Sequence, residues 1–262
     1  MSAFTQGELY QTSFDPKAYL KDFCSFGAGR DGILHFRLQQ YHKIFASGNV
    51  SGRTLIDIGS GPSILQLISA CEAFEEIIAT DFTDANRHEL EKWLKNEPGA
   101  FDWSPVVKTV CELEGDREKC FEKEEKLRKK VSRVLKCDVT QNRPLDPIVL
   151  PAADCLITSL CLETACKDYE AYCAAMKNIT SLLRSGGHLV IVGVLGDTFY
   201  TVGDQTFSCL ELDEESVRKA VVGAGCTITR MEIFAIPEDE HQSALTDSYA
   251  NFFLLASKET TI

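Results

Sequence analysis

The sequence predicts an α/β fold, an open, doubly wound, mixed sheet closed by an antiparallel end. Three observations predict it. Short apolar runs alternate with helical patterns through most of the chain. The first run enters Gly59-Ser60-Gly61 and the next ends in Asp81, the layout of a nucleotide site in which an acid follows the glycine turn by about 20 residues. After a fifth strand pattern the alternation gives way to a hairpin, a helix and two more strand patterns, which implies antiparallel pairing.

Each element has its own signal. Phe14-Asp15-Pro16 reads as a helix start, with Asp15 as N-cap and proline at the first helical position. Glycines from 27 to 32 break this helix, and an amphipathic helix follows with Ile33, Phe36, Leu38, Tyr41, Ile44 and Phe45 as its stripe. Strand one spans 54–58, and Ile64, Leu65, Leu67, Ile68 and Cys71 predict a helix after it. Strand two is 77–80, and Asp84 is expected to cap a helix reaching 95. Trp103, Val106, Val107 and Val110 suggest a short packed helix. The charge-dense segment 112–133 places acids before bases, as the helix dipole and i,i+4 pairing favour, and reads as a solvated helix face. Strand three is expected at 131–139, a proline-marked loop next, strand four at 153–160, a helix at 169–183 and strand five at 189–195, with Ser185-Gly186-Gly187 as the helix stop. A hairpin is expected from 199–202 and 205–210, a helix capped by Asp213, and final strands at 227–234 and 251–257.

The 262 residues suit one domain, 1–262, in which residues 1–50 are an addition before the nucleotide strand. A net charge of -12 argues against a broad basic surface for nucleic acid. No apolar run approaches the ~20 residues of a membrane helix, and the first residues carry no secretory leader pattern, so no membrane partner is expected. The 11 cysteines form no Cys-x-x-Cys pair and lie mainly in apolar runs, which predicts reduced thiols, a cytoplasmic location and no bound metal.

The site chemistry follows from the strand ends. There is no Gly-x-Gly-x-x-Gly, and Pro62 removes an N–H where a pyrophosphate would need one, so a dehydrogenase is disfavoured. Asp57, Asp81, Asp138 and Glu163 fall around one crevice, which suits a cationic, phosphate-free nucleoside such as S-adenosylmethionine (SAM). Asp81 is the expected ribose ligand. Asp57 either reaches the ligand's amino group or fixes the glycine turn. Gly59 and Gly61 are required by the turn in either case. Asn86 sits one turn into the next helix and either joins the site or faces water. Asp138 and Val139 are candidates for the adenine edge, or ordinary turn residues. The segment 159–163 ends strand four beneath the place of a sulfonium methyl, although Glu163 also reads as a helix start. The five histidines are scattered and form no nucleophile motif, and methyl transfer needs none.

Several segments together resemble the small-molecule amine N-methyltransferases, the nicotinamide, indolethylamine and phenylethanolamine enzymes. They are Phe14-Asp15-Pro16-Lys17-Ala18-Tyr19-Leu20, Leu55-Ile56-Asp57-Ile58-Gly59-Ser60-Gly61-Pro62, Glu91-Lys92-Trp93-Leu94-Lys95, Phe101-Asp102-Trp103-Ser104-Pro105 and Leu135-Lys136-Cys137-Asp138-Val139. The central segments look nearest the indolethylamine and nicotinamide members. The resemblance implies a class I SAM-dependent methyltransferase fold, a monomeric enzyme, a helical lid over 1–50, and a hairpin over 196–211 near the acceptor. It implies cofactor roles for Tyr19, Gly59, Ser60, Gly61, Asp81, Asn86, Asp138, Val139 and Ser159. Phe23-Cys24 and Leu65 stand where the nicotinamide and indolethylamine enzymes carry tyrosines, so weaker SAM binding or a differently closing lid is expected, and a catalytically silent SAM-binding relative is the competing reading. In the nicotinamide enzyme an aspartate serving the carboxamide stands where this chain has Gly193. In the phenylethanolamine enzyme a glutamate meets the amine where this chain has Asp197. The resemblance therefore favours an arylalkylamine such as tryptamine, held by Asp197 with Tyr200 and Asp247 lining the pocket. The alternative for Asp197 is a solvated turn acid.

Overall fold

The computed structural model describes residues 4–237 and 244–260, so residues 1–3 of the expected lid lie outside the described residues. Three helices come first: α1 (Gly7–Ser13), α2 (Pro16–Phe23) and α3 (Asp31–Ala46). Asp15 caps α2 as expected, accepting the N–H groups of Lys17 and Ala18. Helix α1 carried no sequence signal, because its seven residues bury none of their number and show no stripe.

The sheet strands are β1 (Gly52–Ile58), β2 (Phe74–Asp81), β3 (Val131–Lys136), β4 (Ala153–Ser159), β5 (Leu183–Leu195), β8 (Cys226–Ala235) and β9 (Ala250–Lys258), and a separate hairpin is made by β6 (Phe199–Val202) and β7 (Gln205–Ser208). Spatial order is β3-β2-β1-β4-β5-β9-β8. Strands β1 to β5 run parallel, and β9 is antiparallel to both β5 and β8. The chain reverses direction between β1 and β4, which places a crevice at their carboxyl ends. Helices α4 (Asp84–Leu94), α5 (Ser104–Leu113), α6 (Cys120–Lys130), α7 (Leu162–Ala165), α8 (Tyr169–Thr180) and α9 (Glu214–Gly223) complete the elements. One apolar core packs α3, α4, α5 and α6 on the sheet around Tyr41, Trp103 and Phe253, and a second packs α8 and α9 around Tyr172, Met176 and Phe252.

Several expectations are corrected. The helix after β1 is replaced by turns and one 3-10 turn, Ala70–Glu72. Ser63 Oγ accepts the Leu65 N–H, and Gln66 Nε2 donates to the Ser60 and Ser63 carbonyls, so side chains satisfy groups that a helix would have paired. Asp84 is not the cap of α4 but its first residue, following Thr83, and it pairs with Arg87. The charged segment is not a uniformly solvated face. It forms two helices and a strand start, with Lys123 buried between Glu72 (2.8 Å) and Glu114 (2.6 Å) and Arg128 stacked 4.2 Å over Trp93. Strand β3 ends at Lys136, three residues early, before the loop that leads to β4. The glycines expected to stop α8 lie inside β5, at a shift in its register against β4.

Candidate active site

The site lies where the carboxyl ends of β1, β2 and β4 meet the N-terminal helices. A cavity of about 320 Å³ is lined there by Gly59, Asp81, Asn86, Asp138, Val139 and Tyr10, among others. Asp81 is its anchor. It is only 7% exposed, and its Oδ2 accepts the Gly61 N–H at 2.8 Å while Oδ1 accepts the Thr83 N–H at 2.8 Å and Asn86 Nδ2 at 3.1 Å. Burial pushes its carboxyl upward and these donors oppose that. Asn86 Oδ1 is buried on the same wall without a partner, an acceptor waiting for a donor. Gly59, at φ 69°, runs so close to the Cys161 side chain that a Cβ there would overlap the sulfur. Asp138 Oδ1 accepts the Thr140 N–H at 3.0 Å and Oγ1 at 2.6 Å, which sets its carboxylate at the rim.

A second cavity of about 40 Å³ adjoins the first, sharing Thr164 and Tyr200. Tyr19, Phe23, Arg30, Arg37, Glu163, Asp197 and Cys209 are among its walls. Asp197 is 4% exposed, so it is not a solvated turn acid, and its Oδ1 accepts Thr246 Oγ1 at 2.5 Å and the Asp247 N–H at 3.2 Å. Burial and the neighbouring acid Asp247 push it up to about 7. Glu163 is equally buried, its Oε1 has no partner, and burial pushes it also up to about 7. Tyr200 donates to the Tyr10 hydroxyl at 3.0 Å and stacks on Phe207.

Five residues expected in the site line neither cavity, and Gly61 is one of them, its N–H given to Asp81. Asp57 is fully buried behind the glycine turn, where Oδ2 accepts Gln66 Nε2 at 2.7 Å, so the turn-fixing alternative describes its position. Ser60 ties the turn to β2, giving its N–H to the Thr80 carbonyl at 2.8 Å and accepting the Thr80 N–H at Oγ. Ser159 sits half-buried at the end of β4 and lines neither cavity. Asp247 accepts the Thr198 N–H at 2.7 Å and hydroxyl at 2.6 Å, holding the turn before β6 rather than lining the pocket. Tyr19 does reach the site, in the small cavity, stacked on Phe23 at 5.2 Å.

The sequence reading missed Tyr10, Cys161 and Arg37. For Arg37 a signal existed. Helix α3 buries Phe36, Leu38, Gln40 and Tyr41 as well as Arg37, and apolar residues flanking position 37 on both sides mark a helix buried beyond one stripe.

The arrangement matches the chemistry of SAM. Among the described residues the large cavity is lined by acids and an unpartnered amide oxygen and by no lysine, arginine or histidine, so it suits ribose and adenine and repels a phosphate. Fold and site together define a class I SAM-dependent methyltransferase. A magnesium protoporphyrin IX methyltransferase from Synechocystis, solved with bound S-adenosylhomocysteine, shares this fold with a TM-score of 0.59 over 96% of this chain and 97% of its own, at 15% identity. A model of the NNMT/PNMT/TEMT family matches residues 2–259, and the chain belongs to that family. It is 52% identical to nicotinamide N-methyltransferase of Sus scrofa, over 98% of this chain and 97% of the relative. It is 50% identical to indolethylamine N-methyltransferase of Oryctolagus cuniculus, over 87% and 88%. The protein is therefore a SAM-dependent amine N-methyltransferase, and nothing in these likenesses supports a silent relative.

Proposed function

We propose that the acceptor is an arylalkylamine such as tryptamine, in preference to nicotinamide. The observation that carries this is Asp197, a buried carboxylate on the wall of the small cavity. It forms a charge-assisted bond to an alkylammonium and takes up the proton that the amine must lose before its lone pair is free. SAM supplies the methyl group on a sulfonium. Gly59, Asp81, Asn86, Asp138 and Val139 hold its nucleoside, and Tyr19 covers it from α2. Gly193 adds support. A Cβ there would lie 2.6 Å from the Phe252 ring and 3.1 Å from Glu163 Oε1, so position 193 has no room for a side chain that serves a carboxamide. Tyr200 and Phe23, both on the small cavity's wall, supply aromatic surface for an aryl group. Glu163 stands as a second carboxylate for the released proton.

We read the enzyme as a cytoplasmic monomer without nucleic-acid or membrane partners. The 11 cysteines, all free, favour a reducing compartment, and among the described residues no helix is long and apolar enough to cross a membrane. Mass-spectrometric rates for tryptamine, phenylethylamines and nicotinamide test the acceptor. Faster turnover of nicotinamide than of every alkylamine rejects the assignment.

A further inference from the structure

Arg37 has no role in the account above, and its surroundings call for one. It is 5% exposed on α3 and lines the small cavity. Its only hydrogen-bond partner among the described residues is the neutral amide oxygen of Asn251, reached by Nε at 3.1 Å and Nη2 at 2.5 Å. No carboxylate among the described residues lies within ion-pair distance of it. Glu163, on the same wall, feels its charge only at longer range, and a buried guanidinium without a paired anion is costly, a cost recovered when a ligand brings one. The Asn251 bonds use one edge of the planar group, which leaves Nη1 for that ligand.

The cofactor brings one anionic group, the α-carboxylate of its amino acid. Among the described residues the large cavity offers it no cation, and Arg30 and Arg37 are the cationic side chains on either cavity's wall. Position favours Arg37. It shares the small cavity's wall with Tyr19, on which its charge and that of Asp81 both act. Its charge also acts on Cys24, buried beside Ser63 of the glycine turn. A ligand with its ribose on Asp81 that passes the junction of the two cavities at Thr164 and Tyr200 reaches the wall that carries Tyr19 and Arg37. Cys24 and Leu65, both 4% exposed, supply only a weak thiol donor and none, respectively, at this end.

We propose that Arg37 binds the α-carboxylate of SAM, with Asn251 holding the guanidinium in position, an inference that rests on the cofactor reading above. Arginine suits the task because its fork can meet both carboxylate oxygens.

Calorimetry with S-adenosylhomocysteine and with the same thioether lacking its carboxylate tests this without turnover. The wild-type protein should prefer the carboxylated ligand by about tenfold or more, as hydrogen bonds between charged groups suggest. Arg37→Gln should erase that preference while leaving the affinity for the decarboxylated ligand unchanged, and Arg37→Lys should keep part of it. If Arg37→Gln does not fold, the double variant Arg37→Leu with Asn251→Leu removes charge and partner together and is measured in the same way. Unchanged affinity for both ligands in the variant, or no preference in the wild type, overturns the proposal. A second arm adds 3-(aminomethyl)benzoate or benzylamine to the S-adenosylhomocysteine-loaded protein. If Arg37→Gln weakens only the benzoate and spares the cofactor product, the carboxylate belongs to the acceptor and the assignment to SAM is overturned. Failure of the wild type to bind S-adenosylhomocysteine at all rejects the cofactor reading itself, a different result from binding that ignores Arg37.

Discussion

Asp81 and Asp197 are both buried aspartates, 7% and 4% exposed, yet they stand in opposite environments. Asp81 follows from the fold. It ends β2, and two of its three donors are backbone N–H groups presented by the turns beside it. Asp197 follows from side chains. Its hydroxyl partner, Thr246, lies 49 residues on, its cavity walls come from α2, α3, the segment after β4 and the hairpin, and a second acid crowds it. On the reading proposed above, the nucleoside end holds a neutral ribose through a carboxylate already bonded on both oxygens. The acceptor end holds carboxyls that change protonation near neutrality, as proton transfer requires. The proposed roles thus divide, one end for binding and the other for chemistry.

The largest expected effect tests that division. Asp197→Ala should lower kcat/KM for tryptamine by ~100-fold, the lower end of an acid–base contribution, with SAM affinity unchanged. Steady-state rates and calorimetry on the same variant read both. An Asp197 variant that loses cofactor affinity instead would erase the distinction between the two ends.

Asp81→Ala comes next and should do the reverse. Charge-assisted bonds to ribose hydroxyls are worth roughly 1.5–3 kcal/mol each, so SAM should bind about tenfold or more weaker while the protein stays folded. An unchanged dissociation constant removes Asp81 from the site.

The same division explains what was legible in the sequence. Gly59, Gly61, Asp81 and the mixed sheet could be read because backbone geometry demands those residue types at strand ends. Asp138 and Val139, read from strand order, line the large cavity although β3 ends at Lys136. The acceptor end was far less legible. Asp197 and Tyr200 entered through family resemblance, and Asp247 was misplaced because nothing local says that it will turn back onto Thr198. Asp57 misled for a related reason. An acid before a glycine turn fits a ligand role and an inward structural role equally well, and only packing against Gln66 decides between them. The helix expected after β1 failed likewise, because Ser63 and Gln66 satisfy the turn with side chains that periodicity cannot weigh.

A third, smaller effect is set by pH. Burial pushes Asp57 up to about 7, against an ordinary aspartate value of about 3.9. The folded state then binds this proton more tightly than the unfolded one, so the stability associated with it is present at low pH and lost as pH rises from about 4 to about 7. Between pH 5.5 and 7.5 the loss is about 2 kcal/mol. Asp57→Asn keeps an acceptor for Gln66 and does not titrate. Denaturant titrations at the two pH values should show a flatter profile for the variant by that amount. Because Asp57 lies behind the turn, its SAM affinity should change little, and a large loss of affinity would return Asp57 to the ligand site.

The smallest effect concerns how the large cavity is covered. Phe4, Thr5, Gln6, Gly7, Tyr10 and Phe14 form one of its walls, so the segment before α2 lies over the nucleoside end. Two reciprocal latches fasten it. Thr5 and Ser208 exchange N–H to hydroxyl bonds at 2.8 Å each, and Gln11 donates to the Phe82 carbonyl at 2.8 Å while accepting the Asp84 N–H at 3.1 Å. Helix α1 buries none of its residues, so these bonds and a few ring contacts carry most of the closure. Such bonds are individually worth about 0.5–1.5 kcal/mol, weak enough to open when a ligand must pass. Gln11→Ala removes one latch without touching a cavity wall. It should speed release of S-adenosylhomocysteine in stopped-flow displacement by roughly 2–10-fold, the worth of the part-buried bond to Phe82, because water replaces the exposed bond to Asp84. It should also raise hydrogen exchange over residues 4–14 in the ligand-free protein more than in the bound one. Equal exchange with and without ligand in the wild type would make this segment a fixed wall, and the contrast between the two ends would then rest on their carboxylates alone.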